Sequence, residues 1–268
     1  AGNIFMGMTE SPVLIKNYLP TMNRSEIFLV MVSGMGTIAG SVMGTYIGML
    51  GGTDPAAKVL FATHLLSASV MAVPGSIVLA KMLCPQTEEA TDHVAISGKE
   101  KENSNILDAI SSGTVTGVKL MTNIAAMLLV FISLVALANY ITEGVIGRYT
   151  GLNDWIVKIT DGKAQGLTFQ FILGVITSPF MWLIGVPSQD IMLVGSLLGQ
   201  KTILNEFVAY FQLQQWKDAG LFMYEKSILM STYILCGFAN ISSIGILLGG
   251  LGVLAPEKRG LISRIGVP

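Results

Sequence analysis

Charge is what this sequence has least of. Only 12% of its 268 residues are Asp, Glu, Lys or Arg, about half the share of an ordinary soluble domain, which makes a soluble enzyme a poor reading. Net charge is −1, so there is no basic surface to neutralise phosphates, and nucleic-acid partners are excluded. Two cysteines, Cys84 and Cys236, lie far apart without C-x-x-C spacing, and there are only two histidines. A disulfide scaffold, a zinc or redox centre and a transition-metal enzyme all lack their ligands. The opening residues, 1–7, have no basic region leading into a long apolar core. The sequence therefore reads as starting partway into something longer.

Glycine, by contrast, is plentiful, with 30 residues that fall inside apolar stretches rather than polar linkers, as helix packing in membranes favours. Ile27 to Gly52 is free of charge and longer than the ~20 residues that span a bilayer core. Val59 to Ala80, Leu120 to Thr142 and Ala164 to Val186 repeat the pattern, each flanked by a charged residue. Ser227 to Pro256 is too long for one straight helix and is interrupted by Gly237, Asn240, Ser242, Ser243 and Gly245, which predicts a broken helix. The polar stretch 85–105 predicts an aqueous loop, Ile106 to Met121 an interfacial helix, and 143–163 a second polar connection. Lys and Arg are too evenly spread for the positive-inside rule to set orientation.

Two segments depart from the spanning pattern. Asn3 to Tyr18 holds Thr9-Glu10-Ser11-Pro12, and Gly195 to Gln212 holds Gln200-Lys201 and Asn205-Glu206. Irregular or charged chain at membrane depth persists only where protein buries it or it lines a cavity, so both predict re-entrant hairpins or discontinuous helices. Glu10 then Glu26 then Thr37-Ile38-Ala39-Gly40 is matched by Glu206 then Glu225 then Ser242-Ser243-Ile244-Gly245. Interrupted segments in matching positions of two halves point to a transporter's midplane site, although glycine-rich membrane helices also resemble one another by composition alone.

Glu10 and Glu206 are the leading functional candidates, because a carboxylate in an apolar segment costs a few kcal/mol. Both are expected to face the protein interior; the plainer alternative is an interfacial carboxylate that reaches water. With Thr9 and Asn205 beside them they suit a ligand rich in hydroxyls and amides, such as a sugar or nucleoside. Asn240, Ser242 and Ser243 serve either helix–helix hydrogen bonding or local unwinding, and unwound carbonyls and hydroxyls are oxygen ligands suited to sodium. Asn3, Thr37 and the Ile38 carbonyl are the equivalent donors of the first half. His64 reads as a packing residue rather than a proton relay.

Five motifs in order, Gly7-Met8-Thr9-Glu10-Ser11-Pro12, Ser25-Glu26-Ile27-Phe28, Thr37-Ile38-Ala39-Gly40-Ser41-Val42, Leu204-Asn205-Glu206-Phe207-Val208-Ala209-Tyr210 and Cys236-Gly237-Phe238-Ala239-Asn240-Ile241-Ser242-Ser243-Ile244-Gly245, resemble the concentrative nucleoside transporters. The likeness covers the whole chain but only the C-terminal two-thirds or so of a family member. It implies an all-α polytopic membrane protein with re-entrant helical hairpins and broken transmembrane helices. On that pattern residues 1–52 hold the second arm of a first hairpin and a broken span of a transport domain, 53–84 a spanning helix, 85–163 the aqueous loop, interfacial helix and long scaffold span, and 164–268 a span, a second hairpin and a second broken span.

The resemblance further implies a homotrimeric symporter of the inner or plasma membrane that imports nucleosides by alternating access, with no cofactor and with sodium, or alternatively protons, as the coupling ion. Gly7, Met8, Thr9, Glu10 and Val42 take the nucleobase side; Glu206, Asn240 and Ser243 take the ribose side, with Phe238 lining the pocket. Sodium falls to the Asn3 side chain, the Thr37 hydroxyl and the carbonyls of Met6 and Ile38. Many members carry glutamine where this chain has Met8; a thioether cannot donate to a base edge and packs adaptably against a larger ring, which predicts tolerance of purines. The competing readings are an intramembrane enzyme acting on a nucleotide- or lipid-linked substrate, for which the spans provide no aspartate and no Ser-His pair, and a passive channel.

Overall fold

The computed structural model describes residues 2–8, 10–88, 106–160, 162 and 164–266, and every regular element among them is helical. They fall into two compact units, residues 1–95 with 172–268, and residues 96–171.

The first unit opens with two 3₁₀ turns, Gly2–Ile4 and Ser11–Ile15, the second carrying a buried Pro12. Helix α1, Arg24–Gly36, starts at a reciprocal cap in which the Asn23 side chain accepts from Glu26 N and the Glu26 carboxylate accepts from Asn23 N. It stops where Thr37 turns extended, and α2, Gly40–Gly51, follows Ala39. The stretch 27–52, one charge-free run by composition and a broken span by the family resemblance, is two half-helices. Each is ~18–20 Å long, too short alone for a ~30 Å hydrocarbon core. α3, Pro55–Leu83, is capped by Asp54, which accepts from Ala56 N and Ala57 N. It is the one helix among the described residues that is long and apolar enough to cross a membrane.

The second unit corrects two expectations. The interfacial helix at 106–121 and the span at 120–142 are one continuous helix, α4, Ile106–Asn139. No proline or cap separates them, and an interior glycine costs only ~1 kcal/mol, too little to stop a long helix. The connection expected over 143–163 is also largely helical: a π-helical stretch Tyr140–Gly147, then α5, Arg148–Thr150, and α6, Leu152–Ile159. Asn153 ties it together, donating to the Glu143 carbonyl (3.0 Å) and accepting from Leu167 N (3.0 Å). Most of the expected aqueous loop, residues 89–105, lies outside the described residues.

Of the span expected over 164–186, the helical part is α7, Phe169–Leu183. Next, α8, Ile191–Ile203, and α9, Glu206–Asp218, pack on each other across the two-residue turn Leu204-Asn205, the helical hairpin anticipated at 195–212. α10, Glu225–Leu235, and α11, Ile241–Leu254, are separated at 236–240, as the broken-helix reading of 227–256 required. After a 3₁₀ turn, Pro256–Lys258, α12, Arg259–Gly266, closes the unit. Asp190 anchors the base of the hairpin: fully buried, it accepts from Met223 N (3.0 Å) and Tyr224 N (3.1 Å). One apolar cluster gathers Ile38, Tyr46, Leu65, Leu197, Tyr210 and Leu235, and a second Met8, Ile27, Met31, Leu247 and Leu251.

Candidate functional site

Two helices begin at the site, and each begins with an asparagine. Asn205 Oδ1 accepts from Val208 N at 2.9 Å and starts α9; Asn240 Oδ1 accepts from Ser243 N at 2.8 Å and starts α11. Glu206 is the first residue of α9, so its carboxylate stands at the positive end of that helix dipole. Asn240 Nδ2 donates to Glu206 Oε2 at 2.9 Å, which joins the two helix starts through one side chain. Glu206, Asn240 and Ser243 are 4%, 6% and 1% exposed. The Ser243 hydroxyl has no hydrogen-bond partner. A buried polar group without a partner costs ~1–3 kcal/mol, so the Ser243 hydroxyl is a hydrogen-bonding group that the fold leaves unused.

The first break carries the oxygen donors of the other half. Asn3 Nδ2 donates to Ser33 Oγ at 2.9 Å, and the Thr37 hydroxyl donates to the Ser33 carbonyl at 3.4 Å, so both side chains meet at the end of α1. The N-terminal turn is held there by Gly40 N donating to the Phe5 carbonyl at 3.2 Å. Ile38 is fully buried and Met6 partly so. These are neutral oxygens, which match a hard monovalent cation. Among the described residues, no three His, Cys, Asp or Glu side chains converge as a transition-metal site.

The two breaks touch. Gly237 has φ 107°, and a Cβ there would stand 2.8 Å from the Gly36 carbonyl oxygen and 2.9 Å from that of Met35. Phe238, next in the chain, packs against both apolar clusters, the one that Val42 also packs against and the one that contains Met8.

The first-hairpin residues lie less as expected. Glu10 is exposed rather than turned inward, because it sits at the start of the short 3₁₀ turn whose Pro12 takes the inner position, and its carboxylate folds back over the Cα of Gly7. Met8 is 7% exposed in the cluster with Leu19 and Leu247. Thr9 lies outside the described residues.

Two residues beside Glu206 were not assigned a role from the sequence. Tyr46 is fully buried, its hydroxyl has no partner, and its ring stacks on Tyr210 with centroids 4.1 Å apart. The signal was helical spacing: Tyr46 is one turn beyond Val42 and Tyr210 one turn beyond Glu206, so the same faces meet. Lys201 is 5% exposed and donates to the carbonyls of Ile234 (2.9 Å) and Cys236 (3.2 Å).

Residues 64–268 match the family model described as "Na+ dependent nucleoside transporter C-terminus". The whole chain is 39% identical over 270 residues to a protein of Haemophilus influenzae named "Uncharacterized transporter", covering 60% of it. With the "Sodium/nucleoside cotransporter 1" of Sus scrofa it shares 39% identity over 279 residues, covering 99% of this chain and 40% of that protein. Among solved structures, "Structure of CNTnw in an inward-facing substrate-bound state" superposes with TM-score 0.82 at 36% identity, over 99% of this chain and 58% of that one. A variant of CNTnw in an outward-facing state gives 0.85 at 36% identity, over 100% and 59%. The chain thus spans about 40 to 60% of the length of these proteins.

Proposed function

The chain belongs to the Na+-dependent nucleoside transporter family, and we propose that it carries the substrate and ion sites of a sodium-coupled nucleoside importer working by alternating access in the inner or plasma membrane. The observation that carries this reading is the buried trio Glu206, Asn240 and Ser243, held together at two helix starts with one hydroxyl left unpartnered. A carboxylate, an amide and a hydroxyl fixed at one point are complementary to a ribose diol. Val42 and Phe238 form the apolar wall, and Gly7, Met8, Thr9 and Glu10 bring the nucleobase side over the pocket when the first hairpin closes.

Sodium binds Asn3, Thr37 and the carbonyls of Met6 and Ile38 in this reading. Both side chains already converge on Ser33, so an ion there locks the N-terminal turn onto the first break. A nucleoside then meets an ordered partner and loses less entropy on binding; by linkage, nucleoside raises sodium affinity equally. Residues 1–52 and 164–268 form the transport domain, 85–163 belong to the scaffold, and the full-length protein is a homotrimer. Met8 broadens the base range toward purines.

The test is uptake of labelled uridine and guanosine by proteoliposomes containing the full-length protein, with and without an inward sodium gradient at fixed pH. Sodium-driven uptake that Asn3→Ala and Thr37→Ala shift to higher sodium concentration is the expected result. Uptake driven by a proton gradient alone overturns the sodium site, and no uptake of any nucleoside overturns the importer.

A further inference from the structure

Resting on the sodium-coupled reading above, we propose that the Lys201 ammonium is a tethered cation that fills, at the second helix break, the place that sodium takes at the first. Two half-helices, α1 and α10, end at the site. Each leaves its last carbonyls without helical partners and presents the negative end of its dipole. At the end of α10 both needs are met from within the chain, because Lys201 Nζ donates to the carbonyls of Ile234 and Cys236 at 2.9 and 3.2 Å. At the end of α1 the side-chain donors are Asn3 and Thr37, both neutral.

The asymmetry matters because the two ends are packed together, with Gly237 over the carbonyls of Gly36 and Met35. Two negative helix ends in contact and away from water repel unless each meets a cation. Other lysines also cap backbone: Lys217 bonds the Leu50 carbonyl and Lys258 that of Met22. Those side chains are partly exposed, and the carbonyls they bond lie near the end of α2 and before the start of α1, not at either break. Lys201 is the buried one, and it sits five residues before Glu206 on the hairpin. The consequence is a division of labour: the end of α10, and with it the segment leading to Asn240, is served by a cation of the chain itself, while the end of α1 is left to sodium.

The test uses the full-length protein with three substitutions. Lys201→Arg keeps the charge and is expected to retain uptake. Lys201→Met removes it at similar length and is expected to lose uptake more than about tenfold, since hydrogen bonds to a charged group contribute ~1.5–3 kcal/mol. Lys201→Ala leaves a space that a small cation can enter. Its melting temperature and uptake are expected to rise with added methylammonium but not with choline, and wild type is expected to show no such rise. A lysine that merely fills space would not be replaced by a free cation. The proposal is overturned if Lys201→Met transports like wild type with the same sodium dependence, if Lys201→Arg is as impaired as Lys201→Met, or if methylammonium leaves Lys201→Ala unchanged. The melting readout does not depend on transport, so wild type lacking sodium-driven uptake counts against the importer reading and leaves the methylammonium result to decide this one.

Discussion

Gly237 lies directly over the carbonyl of Gly36, with φ 107° and room for no Cβ, which would stand 2.8 Å from that oxygen. The approach is backbone against backbone, so no side-chain rotation can relieve a substituent. Gly237→Ala is therefore expected to abolish uptake and to lower the melting temperature, by a cost above the ~1–2 kcal/mol of left-handed backbone alone. Gly245→Ala is the control: it sits inside α11 with no heavy atom within 4 Å of a new Cβ, and is expected to be neutral or stabilising by up to ~1 kcal/mol. Equal behaviour of the two variants would show that the crossing is not what constrains Gly237.

Glu206→Gln keeps an oxygen to accept from Asn240 and is expected to leave folding intact while removing uptake. Asn240→Ala acts differently, because it deletes the α11 cap and removes the amide that donates to Glu206 at once. Loss of a cap costs ~0.5–2 kcal/mol and an unsatisfied buried charged group ~1–3 kcal/mol or more, so Asn240→Ala should melt well below Glu206→Gln. A Glu206→Gln variant with wild-type uptake removes Glu206 from the ribose role.

Ser243 holds a hydroxyl that is buried and without a partner. Its removal in Ser243→Ala is expected to leave the substrate-free protein as stable as wild type or slightly more so, and yet to raise KM for ribonucleosides. One hydrogen bond of ~0.5–1.5 kcal/mol corresponds to roughly three- to tenfold. Comparison of uridine with its 2′- and 3′-deoxy forms locates the contact: Ser243→Ala should lose its preference against one of them and keep it against the other. Unaltered discrimination against both would place the ribose elsewhere.

Met8→Gln is expected to shift the uridine-to-guanosine uptake ratio toward uridine, since an amide can both donate to and accept from a base edge. The substitution also places an amide in the cluster of Leu19 and Leu247, at ~1–3 kcal/mol if it stays buried. A lower melting temperature that nucleoside restores is the expected accompaniment, and an unchanged uptake ratio rules out the purine reading.

Residue types at membrane depth made half of the site legible. Glu206, Asn240 and Ser243 are polar residues in apolar chain, and the structure buries them together, with Asn240 bonded to the Glu206 carboxylate and to Ser243 N. Glu10 followed the same logic and lies exposed, because charge in a short segment says nothing about which way a 3₁₀ turn presents it. Composition detected the break at 236–240 from its bunched polar and glycine residues. By composition 27–52 is one continuous run, since Thr37, Ile38 and Ala39 are ordinary residues for a membrane helix; only the resemblance implied a break there, and the structure turns Thr37 and Ala39 extended beside the N-terminal turn, where Gly40 N meets the Phe5 carbonyl. The helix 106–139 is more polar in its first half than in its second, and composition alone puts a boundary there that no cap or proline enforces.

What the amino-acid order determined by itself was the helical class, the apolar segments, the break within 227–256 and the motif string that marks the family, because burial of apolar chain and its interruption by polar residues and glycine are local and compositional. Only the tertiary structure decided that Asn240 reaches Glu206, that Gly237 rests on Gly36, that Tyr46 stacks on Tyr210 and that Lys201 serves the end of α10. Each of these joins residues from separate helices, and such pairings follow from how helices pack, which no local spacing encodes.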